Sequence, residues 1–175
     1  MIPIISIVGR KDSGKTTFVT QLISLLEGRG MRVACVKQCR RDVAVDVEGK
    51  DSWRYSQAGA SLSIMSTSEQ LSLVYKRPQM ADFCELAHIA MESKSHILIG
   101  ESFNTASQSD IADRYVVARA VRNEEPRFSP EESFAIITDD LKLADCWLES
   151  GSLAFDLNDA EAFADFLCEH YQLFF

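Results

Sequence analysis

"GRKDSGKTTF", Gly9 to Phe18, is the stretch on which the reading of this chain turns. Its spacing G-x-x-x-x-G-K-T runs from Gly9 to Thr16. A loop of this form turns its backbone N–H groups inward as an anion-binding nest. Its lysine reaches the outer phosphates and the hydroxyl after it meets Mg²⁺. So short a string recurs by chance, and the flanks decide. Ahead lies "IPIISIV", a short apolar run with β-branched residues that reads as a buried strand. Behind it, "KTTFVTQLISLLEGRG" sets Phe18, Leu22, Leu25 and Leu26 at helical spacing and stops at Gly28 and Gly30. Strand, glycine loop and helix N-terminus come in the order a phosphate site requires, and the helix dipole adds attraction for the anion. A plain glycine-rich turn needs none of this. The stretch is a P-loop, with Gly9, Arg10, Lys11, Asp12, Ser13 and Gly14 as the nest and Lys15 and Thr16 as the side chains that act.

At 175 residues the chain is expected to form one nucleotide-binding domain spanning 1–175. No apolar run reaches the length of a membrane span, and the start lacks the basic-then-apolar pattern of a secretory signal, so a cytoplasmic location without a membrane partner is expected. Five scattered cysteines, Cys35, Cys39, Cys84, Cys146 and Cys168, form no C-x-x-C, and the three histidines, His88, His96 and His170, form no cluster with them. They read as reduced structural thiols, and no zinc is expected. The net charge of −8 argues against non-specific nucleic-acid binding. Its distribution says more: residues 1–60 carry +4 and the remainder −12. The positive part holds the P-loop, with Arg10, Lys11, Lys15, Lys37, Arg40, Arg41 and Lys50, a local field that suits a phosphate ligand.

Strands and helices alternate along the rest. "MRVACVK" (31–37) is a second buried strand, followed by a long polar loop of the kind that is often functional. "KDSWRYSQAGA" is a short helix, and "SLSIMST" with "LSLVYKR" reads as a hairpin around Ser68–Gln70. A helical face in "ADFCELAHIAMES" precedes the strand "HILIGES". "YVVARAV" and "FAIIT" are further strands, "RNEEPRFSPEE" between them being charged surface. "LAFDLND" and "AEAFADFLCEHY" close the chain as a strand and a helix capped near Asn158 or Asp159. This is an α/β fold, P-loop NTPase-like, with a mostly parallel sheet flanked by helices on both faces.

Ligands of such sheets sit at the carboxyl ends of the strands. Lys37 follows the second strand, Glu101 follows "ILIG", and Asp139 follows "FAII". A carboxylate after an apolar strand can hold Mg²⁺ directly or through water, which suits Glu101. Asp46, in the loop after the second strand, stands where a switch residue would contact Mg²⁺ or an attacking water. Lys15, Asp46 and Glu101 are thus the candidate catalytic groups, and Thr16, Asp46 and Glu101 the candidate metal ligands. A strand-end carboxylate can also accept from the N1–H and amine of guanine. Asp139 is placed for that, with Asp140 its alternative, although no N-K-x-D string is present.

Taken in order, the first 37 residues, "DVAVDVEGKDSWRYSQAGA", "ILIGESF" and "FDLNDAEAFADFL" resemble the molybdopterin-guanine dinucleotide biosynthesis protein B family, MobB. The block D-x-x-x-D-x-x-G-K-D-S-x(5)-A-G-A, Asp42 to Ala60, is far more specific than the P-loop. The resemblance implies a homodimeric GTP-binding protein of weak GTPase activity that assists the molybdenum cofactor guanylyltransferase, the enzyme joining GMP to molybdopterin. It implies that Gly9, Gly14, Lys15, Thr16 and Thr17 bind phosphates and Mg²⁺. Asp46, Gly49, Lys50, Asp51 and Ser52 would form a switch-like segment, Glu101 a metal-side carboxylate, and Asp139 part of the base-reading segment. The exposed edge of the sheet is one place for the dimer contact.

The chain departs from the family at three places. "KQCRRD" lacks the histidines that follow the second strand, and these could contact a pterin or a partner. Ser102 replaces a glycine whose bare N–H approaches the γ-phosphate side, and Asn104 replaces a lysine. The alternatives are therefore a nucleotide-binding adaptor that does not turn over, and a small-molecule kinase or metal-delivery GTPase on the same scaffold. The kinase lacks an evident arginine-rich lid, and metal delivery lacks Cys/His ligands at usable spacing.

Overall fold

The computed structural model describes residues 2–39, 46–76, 81–102, 111–122 and 125–173. They fall into two compact units, one of Met1–Gln38 with Asp82–Phe175 and one of Cys39–Ala81.

The first unit is a parallel sheet of six strands. In chain order these are β1 (Ile4–Gly9), β2 (Val33–Lys37), β5 (Ile97–Glu101), β6 (Asp113–Ala118), β7 (Ala135–Thr138) and β8 (Leu153–Asp156). They lie side by side as β2-β5-β1-β6-β7-β8. Strand alternation divides the side chains between two faces. Ile5 and Ile7 of β1, Ile97 and Ile99 of β5, and Ile137 of β7 pack with Phe18, Leu22 and Leu26 of α1 (Lys15–Gly28) and with Phe163 and Leu167 of α5 (Ala160–His170). Ile4 and Leu98 face the other way, onto Phe83, Ala87 and Ala90 of α3 (Phe83–Glu92). Val8, Val116 and Ile136 share that second face with Trp147 of α4 (Leu141–Glu149). The expected α/β class, with helices on both faces, is what forms. The strands read from the sequence are all present, β2 beginning at Val33 rather than Met31, which is buried beside α1.

The helix α4 is not among the elements expected from the sequence. Its buried side is narrow, Trp147 with part of Leu143, while Leu141 and Leu148 point to solvent and dilute the periodic signal. Asp159 caps α5 by accepting from the Ala162 N–H.

The second unit joins α2 (Asp51–Gln57) to an antiparallel hairpin of β3 (Leu62–Ser66) and β4 (Leu71–Tyr75). Thr67 N–H donates to the Gln70 carbonyl at 2.9 Å and closes the turn at the expected place. One hairpin face turns Ser63 toward α2, where its hydroxyl donates to the Ser52 carbonyl. The other presents Leu62, Ile64, Leu71, Leu73 and Tyr75, each between 41% and 60% exposed. Among the described residues no helix is long and apolar enough to cross a membrane, and all five cysteines are free.

Candidate nucleotide site

β1 delivers the chain into the phosphate loop beside β6, with Gly9 opposite Val117. A Cβ on Gly9 would stand 2.4 Å from the Val117 carbonyl oxygen, so the close approach of the two strands requires glycine. Asp12 (φ 60°) and Gly14 (φ 90°) take left-handed backbone. Such turns direct successive N–H groups to one side, as an anion nest requires.

The start of α1 differs from the other helix starts of this unit. α3, α4 and α5 each begin at an aspartate, Asp82, Asp140 or Asp159, whose carboxylate accepts from first-turn N–H groups. α1 begins at Gly14, with no side-chain cap and no acid in its first turn. Its leading N–H groups still need an acceptor, and the helix dipole makes the potential there positive. A phosphate meets both requirements. An open cleft of about 310 Å³ lies over these residues, lined by Asp12 through Thr17 and by Arg119.

Lys15 is only 7% exposed. Its ammonium donates to the Arg10 carbonyl and, at 3.3 Å, to Ser13 Oγ. Burial lowers its pKa from the ordinary lysine value, against the opposing pull of Glu101. Thr16 Oγ1 donates to Glu101 Oε1 at 2.7 Å, and Lys37 Nζ donates to the same oxygen at 2.8 Å. Glu101 is buried, which pushes its carboxyl up. Hydrogen bonds from Lys37 and Thr16, with the charges of Lys37 and Lys15, outweigh that and hold it below the usual value. The ends of β1, β2 and β5 therefore bring Lys15, Thr16, Lys37 and Glu101 together.

A hydroxyl and a carboxylate are hard oxygen donors of the kind Mg²⁺ takes. Among the described residues no three His, Cys, Asp or Glu side chains group to hold a metal. A P-loop Mg²⁺ takes its remaining ligands from phosphate and water, so the Thr16–Glu101 pair fits it.

The other expected residues fall as follows. Arg10 Nε donates to the Glu125 carbonyl at 2.8 Å, Asp12 pairs with Arg122 at 3.3 Å, and Lys11 and Thr17 are exposed. Asp139, exposed at the end of β7, accepts the Ala120 N–H at 2.7 Å. Asp140 is taken up in capping α4. Asp46 belongs to the second unit, where its Oδ1 accepts from the Ser52 hydroxyl at 2.8 Å and the Val47 N–H at 2.9 Å. Its Oδ2 is buried without a hydrogen-bond partner among the described residues. Ser102 has φ 60°, the left-handed conformation natural to a glycine, and donates its N–H to the Ile7 carbonyl at 2.9 Å. Asn104, Arg40 and Arg41 lie outside the described residues.

Sequence reasoning missed Arg119 and Arg122, which follow β6 and stand against the loop. The strand-end rule that found Lys37, Glu101 and Asp139 would have found Arg119 as well.

The family model for molybdopterin guanine dinucleotide synthesis protein B matches residues 4–139. The molybdopterin-guanine dinucleotide biosynthesis adapter protein of Escherichia coli strain K12 is 30% identical over 174 residues, 98% of this chain and 95% of that protein. Its namesake in Haemophilus influenzae is 34% identical over 102 residues, 58% of this chain and 57% of that protein. Among solved structures, that of Bacillus subtilis MobB superposes with a TM-score of 0.71 at 24% identity, covering 96% of this chain and 97% of that one. A crystal structure of molybdopterin-guanine biosynthesis protein B superposes at 0.65 with 26% identity, covering 97% and 99%.

Proposed function

Since the chain belongs to the molybdopterin guanine dinucleotide synthesis protein B family, we propose that it is a GTP-binding accessory protein of molybdopterin guanine dinucleotide biosynthesis, with weak GTPase activity at most. The observation that carries the nucleotide half is the uncapped, acid-free start of α1, with Lys15 beneath it and the Thr16–Glu101 pair beside it. The nest amides and Lys15 would neutralise the β- and γ-phosphates. Thr16 and Glu101 would hold Mg²⁺, which supplies positive charge to the outer phosphates. Asp139 would read guanine at the end of β7. No residue stands out as a general base, which suits slow hydrolysis.

The whole chain is read as one nucleotide-binding domain working in the cytoplasm as a homodimer. The exposed apolar face of the β3–β4 hairpin is its proposed contact with a second copy, because an isolated two-stranded hairpin needs its apolar side covered. The enzyme assisted would be the one that joins GMP to molybdopterin.

The test is a titration with fluorescent GTP and ATP analogues, with and without Mg²⁺. Tighter binding of GTP, strengthened by Mg²⁺, supports the reading. Equal binding of both removes the guanine assignment and favours a kinase or general adaptor, and no binding of either removes the nucleotide role.

One observation favours a second reading, an adaptor that binds GTP without turnover. The Ser102 N–H, whose glycine counterpart in the family approaches the γ-phosphate side, is committed to the Ile7 carbonyl. A Mg²⁺-dependent release of phosphate that disappears in Lys15→Ala would sink this second reading.

A further inference from the structure

We infer that Arg119 is a phosphate-binding residue, donating from within the same chain to the inner diphosphate of a nucleotide held by the P-loop. The inference rests on the nucleotide reading above.

Arg119 is the first residue after β6, the strand that runs beside β1 into the phosphate loop. Its guanidinium lies against Gly14, in the space a side chain there would need. A Cβ on Gly14 would stand 2.9 Å from Nε and 3.2 Å from the carbon and one terminal nitrogen of the fork. The group also lines the cleft over Lys15, Thr16 and Thr17. Its Nε is buried and donates to no acceptor among the described residues, an expensive condition for a guanidinium. Asp12, the acid of the loop, is paired with Arg122 instead. A planar fork with an unmet donor beside an anion nest is suited to a phosphate oxygen.

Strand order decides which phosphates it meets. Lys37 and Glu101 end β2 and β5 on one side of β1, and they form the metal and outer-phosphate side with Thr16. Arg119 comes from β6 on the opposite side of β1, next to β7 with Asp139. The Asp139 carboxylate holds the Ala120 N–H at 2.7 Å and so fixes the turn that directly follows Arg119. An arginine so placed reaches the phosphates nearer the nucleoside, which a diphosphate retains. Asp139 then acts as a positioning residue for it, in addition to any contact of its own with the base.

The experiment is isothermal titration of the full chain with GTP, GDP and GMP in Mg²⁺, for wild type, Arg119→Ala and Arg119→Lys. The expected result is that Arg119→Ala weakens GTP and GDP by the same factor, about ten- to a hundredfold, the range of a charge-assisted hydrogen bond. Strengthening by Mg²⁺ should persist, and Arg119→Lys should recover part of the loss, because it keeps the charge without the fork. Unchanged affinities, or a loss confined to GTP, would overturn the inference. Melting of each variant without nucleotide reports folding. If Arg119→Ala does not fold, an equal several-fold loss for GTP and GDP in Arg119→Lys supports the inference, and none overturns it. A wild type that binds no nucleotide defeats the underlying reading, whereas a wild type that binds beside an equally binding Arg119→Ala defeats this inference alone.

Discussion

Thr16 and Glu101, 85 positions apart in the chain, meet through a 2.7 Å hydrogen bond from the threonine hydroxyl to the glutamate Oε1. The same oxygen receives the Lys37 ammonium at 2.8 Å. A buried carboxylate with two donors on one oxygen is held ionised and aimed. It joins the first turn of α1 to the ends of β2 and β5, so the geometry of the phosphate loop and of the sheet edge become one property.

Glu101→Gln should therefore cost both stability and metal response. The hydrogen bonds from Lys37 and Thr16 lose their charged acceptor, for about 1–3 kcal/mol in urea unfolding at neutral pH. Because the folded carboxyl lies below its ordinary value of 4.5, its contribution is full above that value and fades as pH falls through the lowered one. The variant should lose this part of the acid-side slope. Its GTP affinity should no longer respond to Mg²⁺, and a retained response would remove Glu101 from the metal site.

Lys15 gives the opposite sign. Burial lowers its pKa, so the charged lysine opposes folding at neutral pH, and that cost is relieved as pH rises through the lowered value. In protein without nucleotide this contribution grows as pH rises, opposed above about pH 9 by Cys35, whose thiol burial pushes up. Lys15→Met should remove that contribution, read in urea unfolding as pH rises toward the ordinary lysine value of 10.5. On the proposed reading the same variant should abolish measurable GTP binding, since it removes the cation assigned to the outer phosphates.

Much of the site is legible in the sequence because it is built from strand ends. Lys15 and Thr16 follow β1, Lys37 ends β2, and Glu101 ends β5, so buried apolar runs locate all of them before any contact is known. Arg119 escapes because it falls inside the apolar run "YVVARAV", and Arg122 because it opens the charged run that reads as solvated surface. Arg122 also finds Asp12 only through the pairing of β6 with β1. The helix α4 escapes for a different reason: Leu141 and Leu148, apolar but exposed, blur a stripe that only Leu143 and Trp147 define. That Asp140 caps this helix, leaving Asp139 to the Ala120 N–H, depends on backbone direction, which two adjacent aspartates in a sequence do not reveal.

Ser102 pays for a glycine's conformation. A residue with a Cβ at φ 60° costs roughly 1–2 kcal/mol, while glycine loses about 0.5–1 kcal/mol more backbone entropy on folding. Ser102→Gly should thus stabilise the chain by about 0.5–1 kcal/mol in thermal unfolding. If the serine is also what restrains this backbone from the γ-phosphate, the Mg²⁺-dependent release of phosphate should rise in the same variant. A stabilised variant with an unchanged rate would assign the slow chemistry to something other than this residue.

The hairpin supplies the test of assembly. Ile64 and Leu73 are directly paired across β3 and β4, near the centre of the exposed apolar face. Replacing them together by Lys and Glu keeps a favourable cross-strand pair, so the hairpin itself should survive. Burying that pair of charges between two copies would be costly, because each would leave water for an apolar surface. By sedimentation the wild type should run at twice the 19.6 kDa chain mass and the double variant at one chain mass. A double variant that stays dimeric would move the contact to another surface, the open edges of β2 and β8 being the next to test. A wild type that runs at one chain mass would remove the homodimer from the proposal, and the exposed hairpin face would then belong to a different protein partner.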